Sequence, residues 1–133
     1  MYNSDSYKIG QIASIRKVIL EEDVIVFSNV CRDLNPLHID SGYAEKSIFK
    51  KRIVNGMLCG SLISAVIGTK LPGHGAIYLS QTLKFIKPVY IGDEVEAFCE
   101  IIDLYPEKSI MKLHTYCVNN GIVVIDGEAL VKF

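Results

Sequence analysis

The segment Asp33-Leu34-Asn35-Pro36-Leu37-His38-Ile39-Asp40 carries the residue types that move protons. A carboxylate can orient a water and take its proton, and an imidazole near neutrality can hold or return one. Five residues separate Asp33 from His38. Fully extended, they would stand about 17 Å apart, so convergence on one water requires the loop to curl. Pro36 holds its own φ and keeps Asn35 out of the α region, which makes the turn stiff. A stiff loop is where an acid/base pair can be mounted. On residue types alone two readings stand: Asp33 caps the loop and His38 is a satisfied buried histidine, or the two act together.

The elements around this loop must hold it. A strand is expected over residues 11–19, alternating loosely through Ile12, Ile15 and Val18. Glu21 to Cys31 reads as a helix, with Val24, Phe27, Ser28 and Cys31 recurring at three and four and acidic residues in its first turn. After the loop, residues 41–47 form a short helical turn with Asp40 as its N-cap. Residues 53–69 form a helix in which Met57, Leu58, Leu62, Ile63, Val66 and Ile67 leave no face for water, so it belongs inside the protein. Gly68 and Pro72 mark its end.

The second half is strand after strand. Residues 77–87 precede the turn residues Gly92-Asp93; Val95, Ala97, Cys99 and Ile101 then alternate with Glu94, Glu96, Phe98 and Glu100. Met111, Leu113, Thr115 and Cys117 repeat the pattern. Asn119-Asn120-Gly121 signals a hairpin into a last strand over residues 122–133. Strands with short connections make an antiparallel sheet, and one buried helix against it makes an α+β domain. A single sheet covers only part of a helix apolar all round; the loops or a second copy of the chain must cover the rest, and a homodimer is expected.

With 133 residues and no linker, repeat or charge block, residues 1–133 read as one domain. Half the residues are hydrophobic and 22% are charged, which excludes a disordered chain. A net charge of −1 gives no broad electropositive face for nucleic acid. Residues 1–10 carry no apolar signal region, and the longest apolar run, residues 57–67, is too short for a bilayer. Cys31, Cys59, Cys99 and Cys117 show no C-x-x-C spacing and read as reduced core thiols of a cytoplasmic protein, with no metal site indicated.

Residues 32–40, with Tyr43-Ala44 and then Asn55-Gly56-Met57-Leu58, resemble the (R)-specific enoyl-CoA hydratases, the MaoC-like dehydratases. Their motif reads D-x-N-P-L-H-x-D, followed by Y/F-A and by His-Gly-Met at the start of the central helix. Residues 71–78 and 85–95 are similar to the later segments of short members. The resemblance implies a hot-dog fold, an antiparallel sheet wrapped around a long central helix with a short helical overhang carrying the loop, as a homodimer. It implies reversible addition of water to trans-2-enoyl-CoA, giving the (R)-3-hydroxyacyl thioester, with coenzyme A part of the substrate and no separate cofactor. Asp33 and His38 match the catalytic pair, Gly56 the backbone N–H that polarises the thioester carbonyl, and Ser64 a supporting hydroxyl. Asn55 replaces the family's usual His; it preserves a donor for substrate or loop but not a titrating group.

Lys50-Lys51-Arg52 reads either as a solvated charge run or as a dock for the phosphates of coenzyme A or of an acyl carrier protein's arm. Ser64 reads equally as a small packing residue, His74 as a loop residue, and His114 as an exposed strand residue. Two further functions are compatible with the pattern. One is an acyl-CoA thioesterase, in which a carboxylate turns water on the thioester carbonyl; the other is a non-catalytic acyl-thioester binding module.

Overall fold

The computed structural model describes residues 6–133, so part of the N-terminal stretch read at residues 1–10 lies outside the described residues. The order of elements is β1 (Ile12–Val18), α1 (Glu21–Cys31), α2 (Pro36–Ile39), α3 (Ser41–Glu45), α4 (Gly56–Thr69), β2 (Ile77–Gln81), β3 (Lys84–Phe85), β4 (Glu94–Tyr105), β5 (Ile110–Asn119) and β6 (Ile122–Lys132). The strands form one antiparallel sheet in the order β1-β4-β5-β6-β2, with β3 also pairing β6. The sheet wraps α4, which packs on β4, β1 and β5. This is the α+β architecture the resemblance implies.

Alternation decides which strand faces turn inward. Val95, Ala97, Cys99 and Ile101 on β4 and Met111, Leu113, Thr115 and Cys117 on β5 are buried, and Ile63, Val66 and Ile67 of α4 meet them. The β5–β6 hairpin turns at Asn120 and Gly121, both at positive φ (51° and 75°), as the Asn-Gly signal requires. On β1 the pattern differs from expectation. Ala13 and Ile15 pack against the core, whereas Ile12 and Val18 are exposed on the face of Arg16.

Beyond shifts of one or two residues at element ends, two expected elements change. The helix expected from residue 53 begins at Gly56, because Ile53 bridges to Tyr90 and Val54 N–H donates to Val89 carbonyl (2.7 Å). Residues 77–87 are two strands rather than one. At the break the backbone of Thr82 crosses so close over Gly127 that a Cβ there would stand 1.9 Å from the Thr82 carbonyl oxygen. Gln81 Nε2 passes that gap to the buried Thr115 hydroxyl (2.7 Å).

Helix α4 is not covered on every side. Met57, Ser61, Ser64 and Gly68 form one exposed stripe along it. Beside the core, the edge strand β2 exposes Ile77, Tyr78 and Leu79. Three cysteines lie in the core, but Cys31, at the end of α1, is exposed; all four are free. Among the described residues no helix is long and apolar enough to cross a membrane.

Candidate active site

The loop curls through its own side chains. Asp33 Oδ1 accepts from the Asn35 N–H (3.3 Å), and Asn35 Oδ1 in turn accepts from the Leu37 N–H (3.1 Å), capping α2 with Pro36 in its first turn. Upstream, Arg32 leaves α1 in the left-handed conformation (φ 64°), which turns the chain into Asp33. Asp40 caps α3 by accepting from the Tyr43 N–H (3.0 Å), as expected.

These turns bring Asp33 Oδ2 to 3.7 Å from His38 Nε2. That is too long for a direct hydrogen bond, and a water placed between the two atoms can reach both. The His38 side chain is only 10% exposed, while that of Asp33 is 44% exposed, so the carboxylate meets solvent and the imidazole meets protein. His38 Nδ1 lies 2.8 Å from the Ile53 carbonyl oxygen, an acceptor only, which assigns a proton to Nδ1; in the neutral ring the Nε2 lone pair then faces Asp33.

Asn55 occupies the N-cap position of α4, yet its side chain does not cap the helix. Its Nδ2 donates to Asp33 Oδ2 (3.2 Å) and to the buried Ser28 hydroxyl (3.3 Å), while Oδ1 is buried with no partner among the described residues. Of the two uses expected for the Asn55 donor, substrate or loop, the geometry gives the loop: Asn55 is almost fully buried and its amide holds the Asp33 carboxylate. Ser28, one link further on, was not singled out as part of the site by sequence. A small polar residue on the inner face of an amphipathic helix carries no signal of the partner it will meet.

The N–H groups of Leu58 and Cys59 donate to the Asn55 carbonyl (3.0 and 3.3 Å). Because the Asn55 side chain turns away, those of Gly56 and Met57, the first two of α4, keep no side-chain cap, and helix geometry gives them no internal acceptor. Gly56 is the first of them. It lines the same pocket of about 480 Å³ as Asp33 and His38, with Phe49, Phe85 and Ile125 among its apolar walls. A Cβ on Gly56 would stand 2.7 Å from the Phe85 ring, so glycine is what lets the ring lie against the helix terminus. Cys59 also lines the pocket, and burial pushes its thiol up to about 12, leaving a neutral wall and not a nucleophile.

The remaining expected residues fall elsewhere. Ser64 sits on the exposed stripe of α4, outside the pocket of its own chain. Lys50 is exposed, and Lys51 Nζ rests 4.9 Å from the centroid of the Tyr90 ring. Arg52 is not free to meet a phosphate: Nε donates to the His38 carbonyl (2.7 Å) and Nη1 pairs with Glu21 (2.6 Å). The lysine on the pocket wall is Lys87, which the sequence reading did not select. His114 pairs with Asp126 across β5 and β6 (2.7 Å), away from the pocket. Among the described residues no cluster of three or more His, Cys, Asp or Glu side chains could hold a metal ion.

Against known proteins, the MaoC like domain matches residues 7–122. An (R)-specific enoyl-CoA hydratase of Rhodospirillum rubrum is 48% identical over 127 residues, covering 96% of this chain and 88% of the relative. A 3-hydroxybutyryl-CoA dehydratase of Methylorubrum extorquens is 43% identical over 128 residues, covering 96% and 82%. The solved structure of the (R)-hydratase from A. caviae, described as involved in PHA biosynthesis, superimposes with a TM-score of 0.94 at 41% identity, covering 96% of this chain and 98% of that one.

Proposed function

The chain belongs to the MaoC-like domain family, and from that membership we infer that it is a lyase that reversibly hydrates trans-2-enoyl-CoA to (R)-3-hydroxyacyl-CoA, with Asp33 and His38 as its catalytic residues. The observation that carries the assignment of residues is their convergence, Oδ2 to Nε2 at 3.7 Å, in one pocket with the N-terminus of α4.

In the neutral, Nδ1-protonated ring, His38 Nε2 is an acceptor like Asp33 Oδ2, so one water can present a hydrogen to each and a lone pair to C3 of the enoyl chain. One proton leaves the water as its oxygen bonds C3, is held by the pair, and is delivered to C2. The other stays as the hydroxyl hydrogen, so the sum is addition of one water. Electron density moves meanwhile to the thioester oxygen. A hydrogen bond from the Gly56 N–H and the positive end of α4 lower that charge's energy, an effect of a few kcal/mol in comparable sites, roughly 3. Asn55 and the Asn35 N–H hold the carboxylate so that its free lone pairs face the pocket.

Lys87 on the pocket wall is our assignment for the first cation met by the phosphates of coenzyme A or of a carrier protein's arm, in place of Arg52. The same reading makes the protein a homodimer. Strand β2 is a sheet edge with apolar residues exposed on both faces, and an edge strand pairs antiparallel with its own copy about a two-fold axis. Four free cysteines support a cytoplasmic location.

The test is loss of enoyl ultraviolet absorbance on adding the purified protein to crotonyl-CoA, with chiral analysis of the product. The (R)-3-hydroxy thioester is expected, and Asp33→Asn and His38→Ala each lower kcat by about 10²-fold or more while retaining the fold. Release of free thiol from a saturated acyl-CoA, without hydration of crotonyl-CoA, longer enoyl-CoAs or enoyl-acyl carrier protein, would replace this reading with a thioesterase.

A further inference from the structure

We propose that Arg52 is a positioning residue that sets the separation of Asp33 and His38, using α1 as a strut; the proposal rests on the catalytic assignment above. Three hydrogen bonds join residues 52 and 53 to the turn that carries His38. Arg52 Nε donates to the His38 carbonyl (2.7 Å), His38 Nδ1–H donates to the Ile53 carbonyl (2.8 Å), and Ile53 N–H donates to the Leu37 carbonyl (3.2 Å). The backbone and the ring of His38 are thus both fastened to one dipeptide.

The guanidinium also reaches Glu21, the first residue of α1, with Nη1 at 2.6 Å from Oε1. Eleven residues make α1 about 16 Å long, and Asp33 follows directly on the turn that ends it. The N-terminal end of the helix is therefore tied through Arg52 to the His38 backbone, and its C-terminal end presents Asp33 to the His38 ring. The contacts close a ring of Glu21, Arg52, His38 and Asp33 around a rigid helix. Only a planar fork spans both tethers, because a lysine ammonium at the same place cannot hold the carbonyl and the carboxylate in fixed directions. The side chain is 11% exposed, so its place is set by packing and not by solvent.

The consequence is specific to turnover. Releasing the strut lets the two groups drift apart, and a displacement near 1 Å costs roughly 10²-fold in a positioned reaction. Substrate binding depends on the pocket walls and changes little. Arg52→Met and Arg52→Lys, each compared with wild type on crotonyl-CoA, are expected to lower kcat by about 10- to 100-fold and severalfold, respectively, with KM within about twofold. Glu21→Gln, at an exposed site that leaves folding intact, is expected to lower kcat severalfold and to be non-additive with Arg52→Met.

A second readout needs no turnover. The chain has three histidines, so ¹⁵N-histidine spectra resolve His38, and its Nδ1–H tautomer is expected to give way to a mixture in Arg52→Met. A raised KM with unchanged kcat would overturn the proposal in favour of a phosphate contact. Unchanged kcat and an unchanged His38 spectrum would overturn it outright. Wild-type protein inactive on every enoyl thioester, with the spectral change still present, would overturn the assigned reaction and leave the positioning role standing.

Discussion

Gly56 is where a single hydrogen in place of a methyl group decides what can lie against the start of α4. A Cβ there meets Cε1 of Phe85 at 2.7 Å, but the ring edge is the far end of a half-exposed side chain and can swing aside. Gly56→Ala, at the first position of α4, is therefore expected to shift Tm by less than about 2 °C, because the end of the Phe85 ring yields. The displaced ring is a pocket wall, so KM for crotonyl-CoA is expected to rise severalfold. Thermal melts beside steady-state kinetics check both. A lowered kcat at unchanged KM would place the effect on the N–H and not on the wall. Asn55 illustrates the same economy: a neutral amide whose two N–H groups meet Ser28 and Asp33 holds a carboxylate without adding a second titration.

Among the elements, α1 decides where Asp33 stands, and its start is held by Asp23. The Asp23 carboxylate accepts from the Leu20 N–H (2.9 Å) and meets Lys17 (3.1 Å). The backbone hydrogen bond, more than Lys17, holds its pKa below the ordinary 3.8. A carboxylate depressed in the folded state contributes stability that is present above the unfolded value and is lost as pH falls through the folded one. Asp23→Ala is expected to lose about 1 kcal/mol of helix capping, a Tm fall of roughly 4 °C at neutral pH. Melts across pH should show that difference undiminished above about pH 5 and closing below 3.8. A difference independent of pH would assign the effect to packing.

At the scale of the whole molecule, the sheet closes around α4 on one side and leaves the stripe of Met57, Ser61, Ser64 and Gly68 uncovered. Strand β2 and Phe85 expose apolar surface beside the core. Met57 both lines the pocket and is 58% exposed, so the pocket borders the uncovered face. Sedimentation at micromolar concentration is expected to give a dimer, and Leu79→Lys on the edge strand a monomer with reduced activity. A wild-type monomer would show that the exposed face has another use.

The sequence by itself determined what depends on neighbours along the chain. Period-two alternation identified β4 and β5, the Asn-Gly turn placed the last hairpin, and Pro36 announced a stiff loop between Asp33 and His38. Those signals are local because strand pleat, turn dihedrals and proline geometry are local. Tertiary structure decided the rest. The start of α4 moved to Gly56 because Ile53 and Val54 found backbone partners at Tyr90 and Val89. Arg52, one of three adjacent cations, went to Glu21 and the His38 carbonyl, partners 31 and 14 residues away. Ser28 reaches the carboxylate only through Asn55, 27 residues on. Such contacts cost chain entropy to close and are made only when the packed core holds both ends, so no spacing in the sequence announces them.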